Sequence, residues 1–412
     1  MTPTSAARDP LDAVIRYNRQ FVGDGRDPAW LRMKLDRLCA SPFGFLRGTF
    51  HLFVADWPRL GDDPLAAGAE QAIVGDLHLE NFGAFRAADG SVVFDVNDFD
   101  ETASSTPALD LARVATSVVL ADERHGDVRA VERTSALVDA WASAARSLDL
   151  RPIGGKEAPA VVRALVDTAS DASRATWIER RIEGGAGQRR FKTSEKYQTV
   201  VDDKTRAAVA DAVREFGARC PERPADIADW PRVLDVAVRV AGTGSLGRFR
   251  WAVLVQGKSD KPGKERILEL KEALPSSLSP GDTTLDAAER VIATQRRLQG
   301  APPAYLGVAH VGPRPFTVRE LQPTEAKLDV SVLKGGDFDA LAAACGTVLG
   351  RLHRRANPAL AERIAGRERA IARRVCAFAL RYAAQVADDH ARLTAERASV
   401  AQALGVPSGA GA

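Results

Sequence analysis

Asp76, His78, Glu80 and Asn81 crowd into one stretch of this chain, Gly75-Asp-Leu-His-Leu-Glu-Asn-Phe-Gly83. A second stretch, Val92-Val-Phe-Asp-Val-Asn-Asp-Phe-Asp-Glu101, adds Asp95, Asp98, Asp100 and Glu101. Hard oxygen donors at this density suit phosphoryl transfer with magnesium. That chemistry needs one carboxylate for the nucleophile's proton, and an amide plus a carboxylate to hold metal against phosphate. The second stretch holds more acids than metal binding needs, so at least one is expected to cap a turn or face solvent. His78 suits magnesium poorly, and zinc would need partners that the sequence does not supply. A hydrogen-bonded loop histidine is expected there.

The elements that must position these residues are short. The apolar run Ala72-Ile-Val74 leads into a turn carrying Asp76 to Asn81, followed by a Phe/Gly strand, a turn at Ala88-Asp-Gly90 and a β-branched strand. Alternation along that strand puts Phe94, Val96 and Asp98 on one face, opposite Asp95 and Asn97. Loop and hairpin thus bring the acids to one edge. Thr106-Pro-Ala-Leu-Asp-Leu-Ala-Arg113 then opens an apolar helix, with Pro107 suited to its first turn. Asp110, inside that turn, is placed to accept backbone N–H groups from a nearby loop.

Upstream, residues 11–40 read as helix, and Ser41-Pro-Phe-Gly-Phe-Leu-Arg-Gly48 punctuates it before a further apolar helix from Phe50. Arg47 is expected to cap a neighbouring helix, with phosphate binding the alternative. Residues 151–204 read as polar, and the cluster Arg189, Arg190, Lys192 as a solvated loop. Two alternating strands then flank Gly242-Thr-Gly-Ser-Leu-Gly247, and a turn from Gln256 to Glu265 leads to a third, Ile267 to Ala273, carrying Lys271. Asp286 to Gln299 reads as helix, with Glu289 eighteen residues beyond Lys271. Strands are expected at Tyr305–Val308 and Phe316–Leu321, the latter holding Glu320. Helices are expected over 337–355 and 359–403, before a frayed tail from Val406.

The bulk properties narrow the classes. The chain has 412 residues, 45% hydrophobic and 27% charged, as in ordinary globular proteins. A net charge of +3 gives no argument for nucleic acid or an anionic membrane as partner. Cys39, Cys220, Cys345 and Cys376 are scattered without a CxxC pair, which suits a reducing compartment. With no signal-peptide pattern and no apolar run of about 18 residues, a cytoplasmic protein is expected.

Gly-x-Gly-x-x-Gly alone is weak, and here it opens no helix, which counts against a dinucleotide site. A strand on each side is what a glycine-rich phosphate hairpin requires. Asp76 and Asn81 have the five-residue spacing of a kinase catalytic loop. Together with Asp98-Phe-Asp100 and Asp110-Leu-Ala, that loop resembles those of aminoglycoside phosphotransferases and related small-molecule kinases. Over roughly residues 25–390 the chain more closely resembles a bacterial family of unknown function, numbered 2252, grouped with the kinase-like superfamily. Its signatures here are Ser41 to Gly48, Asn97 to Glu101, Leu270-Lys-Glu-Ala273 and Gln295-Arg-Arg-Leu-Gln299.

The resemblance implies an α+β, two-lobed protein-kinase-like fold with ATP and Mg2+ as cofactors. It implies Asp76 as catalytic base, Asn81 and Asp98 as magnesium ligands, and Lys271 paired with Glu289 on the nucleotide phosphates. Gly242, Gly244, Ser245, Gly247 and Glu320 complete the expected nucleotide-binding set. In familiar kinases the glycine turn and lysine precede the catalytic loop, whereas here they follow it. The helix ending Leu349-Gly-Arg-Leu-His353, normally just before that loop, lies near the C-terminus. A circular permutation explains the order, because a site is defined in space rather than along the chain. The expected division is 1–170 and 331–412 for the helical lobe and 175–330 for the β-rich lobe. The expected activity is a phosphotransferase acting on an unidentified small molecule or protein. Nucleotidyl transfer and a nucleotide-binding pseudokinase are the alternatives, and a metallophosphoesterase lacks its upstream Asp-x-His and downstream Gly-Asn-His.

Overall fold

Aspartate or serine followed by proline starts each early helix. Asp9, Asp27 and Ser41 accept backbone N–H groups at the N-termini of α1 (Pro10–Asn18), α2 (Pro28–Cys39) and α3 (Pro42–Gly48). The computed structural model of the chain describes residues 8–60, 70–122, 126–155, 158–185, 187–221, 230–257, 261, 263–282, 285–323, 330, 333 and 335–406. Most of the expected C-terminal tail and part of the turn from Gln256 lie outside these residues. The single helix expected over 11–40 is broken in two. Gly23, Asp24 and Gly25 take φ of 75°, 57° and 75°, a left-handed turn through which no helix runs.

After α4 (Phe50–Leu60) come two small antiparallel pairs. β1 (Gln71–Ile73) pairs with β4 (Ala103–Ser105), and β2 (Phe82–Arg86) forms the expected hairpin with β3 (Val92–Val96). Helices α5 (Pro107–Ala121), α6 (Gly126–Arg146) and α7 (Ala160–Asp171) follow. The part of the polar stretch expected to be a solvated loop, around Arg189, is instead structured. It forms α8 (Arg174–Glu179) and the short strands β5 (Ile182–Glu183), β6 (Arg190–Phe191) and β7 (Tyr197–Gln198). Ile178, Ile182, Phe191 and Tyr197 bury together against the main sheet. Arg189 is not solvated: it pairs with Glu265 at 2.7 Å and with Glu179.

That sheet has six antiparallel strands in the order β11-β12-β10-β9-β8-β7. Its long members are β8 (Val233–Arg239), β9 (Arg250–Val255), β10 (Arg266–Glu272), β11 (Gly307–Val311) and β12 (Arg314–Leu321). Between them run α9 (Asp203–Arg219) and α10 (Ala287–Leu298). Register places Lys271 opposite Arg250 and Thr317, and Glu269 opposite Arg319. Side chains one residue away, Leu268, Leu270, Trp251, Phe316 and Val318, share a core with Val209, Val213 and Phe216 of α9. One face of the sheet is therefore apolar and covered, and the other carries charge.

The C-terminal helices α11 (Gly335–Ala356), α12 (Leu360–Ile364), α13 (Glu368–Ala395) and α14 (Arg397–Ala403) return to the first ones. α11 lies along α6, and α13 along α5 and α6. Leu111, Val114, Leu137, Trp141, Leu341, Leu349 and Val375 from these helices share one buried core, each side chain of this type contributing about 1.5–3 kcal/mol. The architecture is α+β. Among the described residues no helix is long and apolar enough to cross a membrane.

Candidate functional site

Asp110 fixes the loop that carries the acids. Its Oδ2 accepts the N–H of Val74 at 2.8 Å, and its Oδ1 that of Gly75 at 2.7 Å, as its place in the first turn of α5 predicts. His353, on α11, donates from Nε2 to the same carboxylate at 3.1 Å. Its Nδ1 receives the Trp141 indole N–H at 3.0 Å, which places the ring proton on Nε2. All three side chains are fully buried. At Gly75 φ is +91°, and a Cβ would lie 2.2 Å from the carbonyl oxygen of Glu101. Only glycine lets the loop pass this close under the acidic stretch.

Just past that glycine, Asp76 keeps 22% exposure on the floor of a cleft. Its Oδ1 accepts from Arg113 Nε at 3.1 Å and Nη2 at 2.7 Å. Arg113 is itself fully buried, bonded to the Leu46 carbonyl and packed over the rings of Phe50 and Phe53. Burial pushes the Asp76 carboxyl up to about 6, with Arg113 opposing. Such a group is ionised at neutral pH yet basic enough to share a proton in a transition state. Asn81 Oδ1 accepts the His78 N–H at 2.9 Å, and a carbonyl oxygen has a second lone pair for another partner. Both Asp98 oxygens lie 3.3 Å from Lys271 Nζ, which also meets Asp100 at 2.6 Å.

The glycine turn closes the other side of the same cleft. Gly242, Gly244 and Ser245 line it together with Asp76, Asn81 and Asp98. The turn is pinned by its carbonyls: Arg26 donates to Gly247 at 2.7 Å, Lys34 to Gly244 at 3.3 Å, and Arg37 to Gly242. Gly247 has φ of +99°, and a Cβ there would press within 2.7 Å of the Phe21 ring. Arg248 leaves the turn to pair with Asp100 at 3.0 Å and Glu101 at 3.6 Å. Burial lowers the pKa of this guanidinium, but Asp100, Tyr17, Glu101 and Asp98 outweigh it and hold the group charged. Arg47 reaches Glu80 at 2.9 Å on the cleft's rim rather than capping a helix.

Three expectations need correction or settling. Lys271 meets Asp98 and Asp100, not Glu289. The buried residues Ala288, Val291, Ile292 and Gln295 define the inner side of α10, which leaves Glu289 exposed beside Phe216, Arg219 and His310. Glu320 is not on the lysine's face. It stands opposite Leu268 on β12 and pairs with Arg174 and Arg266 behind the sheet. Asp95 is buried, its carboxyl raised to about 6 by desolvation against the Val96 backbone hydrogen bond and the charges of Arg355 and Arg351, while Asp98 lines the cleft. Of these two, only Asp98 faces the cleft.

Sequence reasoning passed over Arg113, Lys34 and Arg248. Arg113 had one signal, its position three residues after Asp110 on the same side of α5. Lys34 had none: it is buried between the Tyr17 and Phe21 rings, at 5.2 and 4.7 Å, where desolvation lowers its pKa to about 7. No curated protein and no solved structure matches this chain. A family model matches residues 26–396, nearly the whole described chain and every residue of the cleft except Tyr17. The chain belongs to that family, domain of unknown function 2252, uncharacterized proteins conserved in bacteria.

Proposed function

We propose that this protein is an ATP- and magnesium-dependent phosphotransferase with a circularly permuted, kinase-like two-lobed fold. It passes a phosphorus-containing group from nucleotide to an acceptor hydroxyl. Residues 1–170 and 331–412 form its helical lobe, and 175–330 its nucleotide lobe. One observation carries the reading: Asp98, which lines the cleft with Asp76, Asn81 and the glycine turn, meets Lys271 of the adjoining hollow, 173 residues away in the chain. Asp76 orients the acceptor hydroxyl and takes its proton. Lys271 and the Gly242–Gly247 turn hold phosphate.

Asn81 and Asp98 are the residues that would hold magnesium, which supplies positive charge to the phosphates when bound. Both offer hard oxygens, and the Lys271 ammonium already stands where Asp98 attracts a cation. Among the described residues no group of three or more His, Cys, Asp or Glu is arranged to hold a metal. Magnesium usually takes one or two carboxylates plus substrate phosphates, so it is expected to arrive with the nucleotide.

Incubating the purified protein with ATP, magnesium and a metabolite library, with chromatographic detection of ADP or AMP, tests the activity. Acceptor-dependent nucleotide consumption is expected. Tight ATP binding without turnover across the library would favour a regulatory pseudokinase. Two variants test the roles. Asp98→Asn is expected to abolish the strengthening of ATP binding by magnesium, whereas Asp95→Asn leaves it intact; the reverse pattern in calorimetry would move the metal role to Asp95. Lys271→Ala is expected to weaken ATP binding by about tenfold or more, the worth of a charge-assisted bond, and to lower turnover with it.

A further inference from the structure

A second hollow adjoins the cleft, sharing Asp98, Asp100, Gly242 and Ser245 with it and running under the charged face of the sheet. A base-binding slot is built from apolar walls with a few directed polar groups. Phe99, Val291, Ile292 and Leu306 line part of this hollow, but its roof is different. It consists of Arg239, Arg250 and Arg319 gathered around Glu269. Glu269 Oε1 lies 2.7 Å from Arg239 Nε and 3.0 Å from Arg250 Nε, and Oε2 accepts from Arg319 Nε at 2.8 Å. Glu269 is wholly buried and Arg250 nearly so.

Arg239 and Arg250 share a single carboxylate oxygen, so these two guanidiniums together carry one positive charge more than Glu269 balances. Asp98 and Asp100 are themselves engaged by the Lys271 ammonium. Burial, then Arg239 and Arg319, push the Arg250 guanidinium below its ordinary pKa, with Glu269 opposing. Like charges gathered in a poorly solvated wall repel, and a multivalent anion entering beside them relieves that cost. Guanidinium forks match the oxygens of phosphate in pairs, which an ammonium does not.

We infer that this arginine roof takes the phosphate chain of the nucleotide, so that the chain enters the hollow and the base stays toward the mouth of the cleft. The inference rests on the nucleotide-site reading above and selects within it. The α-phosphorus then lies nearest Asp98 and Asp76. An acceptor oxygen bonds to that phosphorus and the bond to the oxygen bridging to the β-phosphate breaks. Pyrophosphate leaves with the electron pair, and the acceptor's proton passes to Asp76. The group transferred is the nucleotidyl group.

Calorimetry on the full chain with magnesium, using ATP, pyrophosphate and adenosine separately, tests this. Pyrophosphate is expected to bind and adenosine to bind far more weakly. Arg239→Gln should weaken pyrophosphate and ATP by the same factor, about tenfold. If thermal melting shows that Arg239→Gln does not fold, Arg319→Gln replaces it. Adenosine binding that Arg239→Gln weakens, or ATP binding without any pyrophosphate binding, would put the base in the hollow and overturn the inference while leaving the nucleotide site standing. Pyrophosphate binding without ATP binding would support the anion site and sink the proposed function instead. Binding of neither would end both.

Discussion

Asp76→Asn is expected to lose turnover by about 10²–10⁴ while ATP affinity barely changes. The amide keeps an oxygen for Arg113 to bond, so the loop and its buried arginine stay in place. What disappears is the group able to accept the acceptor's proton. Nucleotide affinity should survive because the phosphates are held by residues on the opposite side of the cleft. A pH profile sharpens the contrast. Burial raises the Asp76 carboxyl to about 6, and the group acts only when ionised. Turnover should therefore rise with pH through about 6 and level off above it, and the residual turnover of the variant should lack that limb. Full activity in Asp76→Asn would remove the base assignment.

Asp110→Ala is expected to destabilise the protein by about 3–5 kcal/mol, the scale of deleting one partner of a buried charged network. The Val74 and Gly75 N–H groups and the His353 Nε2–H would all lose their acceptor in a region without solvent. The effect should reach the cleft as well, because those two amides immediately precede Asp76. Urea unfolding of Asp110→Ala beside Glu289→Ala measures it, since the exposed Glu289 should cost within about 0.5 kcal/mol. Equal midpoints for the two variants would show that the anchor carries no weight.

Local patterns made much of this legible. The hairpin around Ala88-Asp-Gly90, the strands flanking the glycine turn, the strand position of Lys271 and the anchoring role of Asp110 each follow from a few neighbouring residues. The pieces that sequence did not reveal depend on what meets what in space. Nothing local marks Lys34 and little marks Arg113, because only tertiary packing supplies the carboxylate, carbonyls and rings that let them be buried. Glu289 was misplaced for a different reason: its distance from Lys271 suggested a pair, although Ala288, Val291 and Ile292 already turn it outward. Glu320 shows the same sensitivity in a strand, where a shift of one residue decides the face. The strands around Arg190 and Tyr197 are only two residues long, too short to show a period.

The acidic loop and the glycine turn are proposed to form one metal–nucleotide site. Crystals grown with ATP and manganese test it most directly, because the metal's anomalous signal locates it without interpretation of the surrounding density. A manganese peak is expected touching Asn81 Oδ1 and the Asp98 carboxylate, with nucleotide phosphate beside Lys271. Nucleotide bound away from this cleft, or manganese that ignores both residues while ATP is bound, would contradict it.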